Sequence, residues 1–367
     1  MYKKIKSLIA VMFVGILSVS GLSACSTGAK TADTKDSAIV FTDQRGKEVR
    51  LDKPAERIAT AVIPSPAIIA AVDGSYDKIV GINESSLKAN KGGIIGKIFG
   101  EVATNAKTIC DSSFVPDMEA ILALKPDVVI QWGNMGTEII EPIEKAGIPV
   151  VGLKYGTQED LETWIDLFGK ILGKESRAQE IINGMHTKAD AVKNQISQLN
   201  VDVTTGIVLS YGEQLSAANK EDYQHYYFEM AGGKQVSDDV SDEGILSKED
   251  LIAWDPEVIM LSAFDESTPD DIYNDEQLKS LSAVKNKRVY KTPLGVYRWQ
   301  VPCAESPLMW NWVAYLLHPD EYKVDLRTMM KEEIKYLYNY DMTDEDIDHV
   351  LRVDVNAGSD KYATLQK

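Results

Sequence analysis

The chain is predicted to be an α/β protein of two lobes joined by a long rigid helix, and three observations carry that prediction. Short apolar runs rich in branched residues alternate with helical patterns in both halves, as in parallel sheets covered on both faces. Residues 158–199 read as nearly unbroken helix, interrupted at Gly173-Lys174. Finally, "DMEAILALKPDVVIQWG" (117–133) matches "SKEDLIAWDPEVIMLSA" (247–263) without a gap, with Pro126 over Pro256, Glu119 over Glu249 and Ala123 over Ala253.

Taken in order, the chain opens with a basic leader, "MYKKIK", and the apolar run "SLIAVMFVGILSVSG", a signal-peptide pattern too short to span a bilayer as a permanent helix. "LSAC" (22–25) resembles a bacterial lipoprotein processing box, which implies cleavage before Cys25 and a lipid on its sulfur. The competing reading is a plain secretory signal with an incidental cysteine. Residues 25–39 are small and polar and read as a flexible tether. In residues 40–53 the alternation around Arg45-Gly46 predicts a hairpin. Strands are expected at 57–63, 78–83, 127–132 and 149–153, with helices over 66–73, 117–124 and 137–147, giving a first lobe over 40–157. Gly147 followed by Pro149 is a helix stop before a strand. The linking helices span 158–199. A second lobe over 200–320 has strands at 204–210, 257–261 and 288–292 and helices at 221–233 and 305–318. A helical extension over 321–367 closes the chain, with a cap signal at Thr343 and Asp346. Both lobes are Rossmann-like, and in such sheets ligands bind at the carboxyl ends of the strands, here in a cleft between the lobes.

The 367 residues carry a formal charge of −17 and three cysteines. An acidic chain of this kind lacks the basic footprint of a nucleic-acid binder. With Cys25 lipidated, Cys110 and Cys303 remain, one in each half; two free thiols are expected, and a single bridge between the halves is the alternative. No H-E-x-x-H, C-x-x-C or G-x-S-x-G occurs, and "KGGIIGKIFG" (91–100) fails the phosphate-loop spacing at Lys91 and Ile98. His186, His225, His318 and His349 are scattered, with no local sign of a nucleophile–base pair. Neither an enzyme nor a bound cofactor is expected; an exported enzyme is the alternative of another class.

Aromatic and polar residues at strand ends supply the candidate ligand site: Trp132, Tyr211, and Tyr297-Arg298-Trp299 in "GVYRWQVP" (295–302). Aromatic faces with a guanidinium suit a flat polar or anionic ligand such as a metal chelate. The bland alternative is that these side chains are core or rim packing.

Taken together, the lipobox, the lobes joined by a long helix, "LALKPDVVIQW", "FEMAGG" and "LSKEDLIAWDPEVIML" resemble the helical-backbone class of ABC-transporter substrate-binding proteins for metal chelates, which serve siderophores, haem and cobalamin. The resemblance covers most of residues 55–320. It implies an extracytoplasmic, lipid-anchored, monomeric carrier that captures an iron(III)-siderophore or similar chelate for a transmembrane permease and its ATPase. Glu119 and Glu249 match the family's glutamates that dock into arginine pockets on the permease. Each also reads independently as an acidic residue in a first helical turn, where it is electrostatically favoured. The catecholate-siderophore binders present several arginines; here Arg298 is the one expected in the cleft, with Lys154 as a helper. Residues 297–322 and the acidic tail resemble members from anaerobes, so corrinoid, haem, molybdate and tungstate are the alternative cargoes. A sensor or surface-interaction lipoprotein is the alternative of another class.

Overall fold

The computed structural model describes residues 38–199, 201–241 and 243–366, which belong to one compact unit. Cys25, the leader and most of the expected tether lie outside these residues.

Strands β1 (Ile39–Thr42) and β2 (Glu48–Leu51) form an antiparallel hairpin turned by Gly46, whose φ of +78° suits glycine. The first lobe is a fully parallel five-stranded sheet of β3 (Ile58–Thr60), β4 (Ile79–Asn83), β5 (Thr108–Cys110), β6 (Val128–Trp132) and β7 (Val150–Leu153), in the order β5-β4-β3-β6-β7. The second lobe contains β8 (Thr204–Tyr211), β9 (Leu215–Ala217), β10 (Gly233–Gln235), β11 (Ile245–Leu246), β12 (Val258–Leu261) and β13 (Val289–Lys291). Strands β10, β12 and β13 are parallel to β8 or to each other, whereas β9 and β11 form an antiparallel edge. The sequence pattern misses β5, β9, β10 and β11, which are two to three residues long and too short to show a period. It also extends the 221–233 helix through Gly233, where the helix stops at Met230 and β10 begins.

The duplicated segment occupies the same place in both sheets. Helix Met118–Leu124 ends at Lys125 (φ +48°) and helix Lys248–Trp254 ends at Asp255 (φ +42°), both left-handed just before the proline. A proline disfavours helical geometry in the residue before it, so each helix is turned out there and the chain returns as a strand. The register is equivalent too: Val128 lies beside Ile58 and Val258 beside Gly206. The acidic residue before each strand ties down the neighbouring strand's start. Asp127 accepts from the amides of Glu56 and Arg57, and Glu257 from the amide of Thr205.

Helices Gln158–Leu172 and Glu175–Gln198 link the lobes and are broken at Gly173, which is left-handed at φ +67°. The second has 24 residues, roughly 36 Å at 1.5 Å per residue. Helix Ser306–Leu317 is buried on every side and so is apolar around its circumference except at Ser306 and Asn311, the latter bonded to the Pro307 carbonyl and the Tyr322 hydroxyl. One continuous core runs from the first lobe through the linking helices and Ser306–Leu317 into the extension, and a smaller cluster covers the outer face of the second sheet. The extension, built on helices Leu326–Tyr338 and Asp344–Leu351, reaches back to the first lobe. Lys97 pairs with Asp346 at 2.5 Å, Tyr338 Oη donates to the Ala67 carbonyl, and His349 Nε2 lies 2.9 Å from the Gly92 carbonyl.

Candidate functional site

The carboxyl ends of both sheets face a cavity of about 350 Å³ between the lobes. The first lobe lines it with Ile63 and Pro64 beyond β3, Trp132 at the end of β6 and Tyr155 beyond β7. The second lobe contributes Ser210 on β8, Ala217 on β9, Ser262 and Phe264 beyond β12, Asp222 and Gln224 at the start of helix Tyr223–Met230, and Tyr297, Gln300 and Val301 from the loop after β13. This is the low end of the roughly 300–1,000 Å³ range of small-molecule sites.

Trp132 is held in an aromatic wall, edge-on to Phe114 and Tyr155 at centroid distances of 6.2 Å and 5.7 Å from Trp164. Among the described residues its indole nitrogen, which is buried, has no hydrogen-bond partner, and neither has the buried Oε1 of Gln224. Burial, followed by the nearby Asp222 carboxylate, holds the Tyr155 phenol well above its ordinary value, and burial pushes that of Tyr297 up to about 12. Both phenols are therefore neutral at physiological pH. Among the described residues that line the cavity, Asp222 is the charged one; it also accepts from the Asn219 amide at 2.9 Å.

The loop between β13 and helix Ser306–Leu317 is organised by Glu305, which is fully buried. Its carboxylate accepts from the amides of Val296 (3.1 Å) and Tyr297 (2.9 Å) and from the Trp299 indole (2.9 Å). Burial raises the Glu305 pKa to about 7 despite these donors. A β-carbon on Gly295 would lie 2.0 Å from Glu305 Oε2, so the close approach requires glycine.

Of the five expected ligand contacts, Trp132 and Tyr297 line the cavity and three do not. Tyr211 follows Ser210 by one residue on a strand, so alternation sends it to the other face, where its hydroxyl donates to Asp275. Trp299 is fully buried with its indole on Glu305. Arg298 is buried behind Phe264, 4.3 Å from that ring, donating to the Ala263 and Ser85 carbonyls; it braces the second lobe against the first and stands behind the lining, with Nη1 3.5 Å from the Tyr297 hydroxyl. Lys154 is exposed and is not part of the lining. The strand-end rule that pointed to Trp132 points equally to Ile63, Pro64, Tyr155, Ser210 and Ser262. Restricting it to conspicuous aromatics lost them. Gln224 and Asp222 carry no sequence signal beyond lying at a helix start.

Glu119 and Glu249 are exposed in the first turns of their helices. The Asp117 amide donates to Ile109 on β5, and Lys248 Nζ lies over the ring of Tyr211 at the end of β8. Each helix therefore starts at the carboxyl edge of its sheet, the edge that faces the cavity. Cys110 and Cys303 are both buried and free.

The family model described as "Periplasmic binding protein" matches residues 67–294. The chain belongs to this family. A periplasmic solute-binding protein of Veillonella parvula has the same fold at 34% identity and a TM-score of 0.78, over 87% of this chain and 98% of that one. The molybdate-binding protein MolA of Haemophilus influenzae is 23% identical over 91% of this chain and 97% of its own, and the iron(3+)-hydroxamate-binding protein FhuD of Bacillus subtilis is 26% identical over 81% and 92%. Members of the family bind small molecules outside the cytoplasm and deliver them to ABC permeases; they are not enzymes.

Proposed function

We propose that this periplasmic binding protein captures an intact metal chelate, an iron(III) complex first, between its lobes and presents it to an ABC permease. One observation carries the reading: a cavity at the carboxyl ends of both sheets with an aromatic and aliphatic wall from the first lobe, polar side chains among apolar ones from the second, and its phenols protonated. Such a wall packs against the organic shell of a chelate and leaves the metal to its own ligands. The iron(3+)-hydroxamate relative supports the cargo class. Trp132 and Tyr297 are the ligand contacts in this reading.

Glu119 and Glu249 are the docking pair. Single exposed ion pairs contribute only about 0–1 kcal/mol, so two at a fixed separation give orientation and register more than affinity. The linking helix and the continuous core keep that separation fixed. Cys25 is the anchor point, with multiple acyl chains holding the protein to the membrane where one would barely do so. Deleting the gene should abolish accumulation of the cognate chelate by whole cells, and restoring the full chain should recover it. Undiminished accumulation in the deletion strain would refute the assignment. Native mass spectrometry and absorbance of protein purified from its host identify the cargo directly.

A further inference from the structure

We infer that docking is apolar as well as ionic: Val115 and Leu122 in the first lobe, with Ile245 and Ile252 in the second, accompany Glu119 and Glu249 as two equivalent contacts for a permease that presents one surface twice. It rests on the docking reading of the two glutamates and adds the side chains that supply affinity.

Exposure and the internal repeat coincide at these positions. Large apolar side chains exposed singly are ordinary on a protein surface. These four are not scattered. Val115 and Leu122 are 56% and 53% exposed, Ile245 and Ile252 48% and 41%. Val115 is 130 residues from Ile245 and Leu122 130 from Ile252, the offset that sets Glu119 over Glu249 and Pro126 over Pro256. Packing obeys the same offset. Ile121 and Leu251 are the buried residues of their helices, and the N-caps Asp117 and Ser247 each follow the first apolar residue by two positions. Leu122 and Ile252 lie three positions after their glutamates, which puts acid and apolar side chain on one helix face. Elsewhere on the exposed surface the two copies differ: Asp117 stands over Ser247 and Lys125 over Asp255. A carboxylate between two uncovered apolar side chains is what both copies keep.

The charges select the occupant. Among the described residues neither the Glu119 nor the Glu249 carboxylate has an ion-pair or hydrogen-bond partner, whereas the acids and the lysine beside them are engaged. Asp117 accepts from the Ala120 amide, Asp250 from the amide and hydroxyl of Ser247, and Lys248 pairs with Asp275 at 2.5 Å. The complementary surface is therefore a cation set in apolar side chains. An anionic lipid surface would be repelled, and two acidic patches repel each other if a second copy of this chain meets them. A twofold permease dimer offers the same surface to both lobes. Exposed ion pairs add little affinity, while covering a half-exposed leucine or isoleucine is worth roughly five- to tenfold.

The test begins with photo-crosslinking in the host. Benzoylphenylalanine replaces Leu122 or Ile252 in the full chain, with Val40 and Val355, exposed apolar residues outside the repeat, as controls. Both patch positions should crosslink to the same membrane-spanning permease polypeptide through the same segment, and the controls should not. The affinity of the full chain for that permease with its ATPase, both in detergent, is then measured. Leu122→Ser and Ile252→Ser should each weaken it by roughly five- to tenfold, and together by the product, since the sites lie in separate lobes. Melting should be unchanged because both side chains are exposed. A permease adduct from one lobe only would overturn the two-copy surface. Parental affinity in the double serine variant, with docking lost in Glu119→Arg with Glu249→Arg, would overturn this inference and leave the glutamate reading intact. Lipid or a second copy of this chain as the adduct at both positions would overturn the two together.

Discussion

In the first lobe the helix before Pro126 ends on Lys125, a left-handed residue whose side chain is exposed. In the second lobe the equivalent Asp255 has the same backbone conformation, but its carboxylate accepts from both the amide and the hydroxyl of Ser282. The contrast recurs at the cavity. The first lobe offers it an aromatic and aliphatic wall, while the second offers hydroxyls, two carboxamides, a carboxylate and a loop held by a buried acid. The duplicated unit therefore fixes backbone register in both sheets, and what hangs from its ends has diverged into a packing side and a polar side.

The largest expected effect comes from the buried acid. Gly295→Ala places a methyl against Glu305 and the Trp299 indole, an overpacking that should cost about 3 kcal/mol in denaturant unfolding. In the first lobe Gly74→Ala, at φ +75° with open space around the added carbon, should cost only about 1 kcal/mol of left-handed strain. Equal losses at the two positions would remove the distinction.

The pH dependence should divide the same way. Glu305 and Glu333, both in the C-terminal half, are carboxylates held above their ordinary value. Burial is the leading cause for each. Folded Glu305 titrates at about 7 against 4.5 for the free group, so between these values the folded state holds more protons than the unfolded one. Its contribution is therefore fully present below pH 4.5 and is lost as pH rises through 7, by about 3 kcal/mol at 1.4 kcal/mol per pH unit. Glu305→Gln should flatten this slope in urea midpoints measured from pH 5 to 8; a parental slope would contradict the account.

A smaller effect is expected where the extension ties to the first lobe. Burial works against ionisation of Asp346, but the Lys97 ammonium and the Thr343 donors prevail and bring its pKa down to about 2. Lys97→Met should lose about 1 kcal/mol at pH 7, Lys97 being half-exposed, and the deficit should shrink as acid protonates Asp346 near pH 2. The smallest effect compares the two proline units directly. Lys125→Gly relieves left-handed strain and should gain about 0.5–1 kcal/mol, whereas Asp255→Gly should show no gain because it also removes the bonds to Ser282.

Much of the fold was legible because it is written in long-period signals: the helix over Glu175–Gln198, the parallel strands and the gapless repeat. The short edge strands were not legible, since two or three residues hold no periodicity. Within the site, Trp132 could be read from its place after an apolar strand. Tyr211 could not be resolved from Ser210, because a one-residue register decides which side chain faces the cavity. Arg298 and Trp299 were misplaced for a related reason: the loop after β13 is folded by Glu305, eight residues beyond Tyr297, and no local pattern announces that bond. Asp222 and Gln224 reach the cavity through tertiary packing alone.

The central claim is that this chain delivers its cargo through two exposed carboxylates set at matching places in the two lobes. The direct measurement is chelate uptake by cells carrying Glu119→Arg with Glu249→Arg, alongside calorimetric binding by the same purified variant. Uptake should fall to the level of the deletion strain while the dissociation constant stays at its parental value. Parental uptake by the doubly reversed protein would contradict the account.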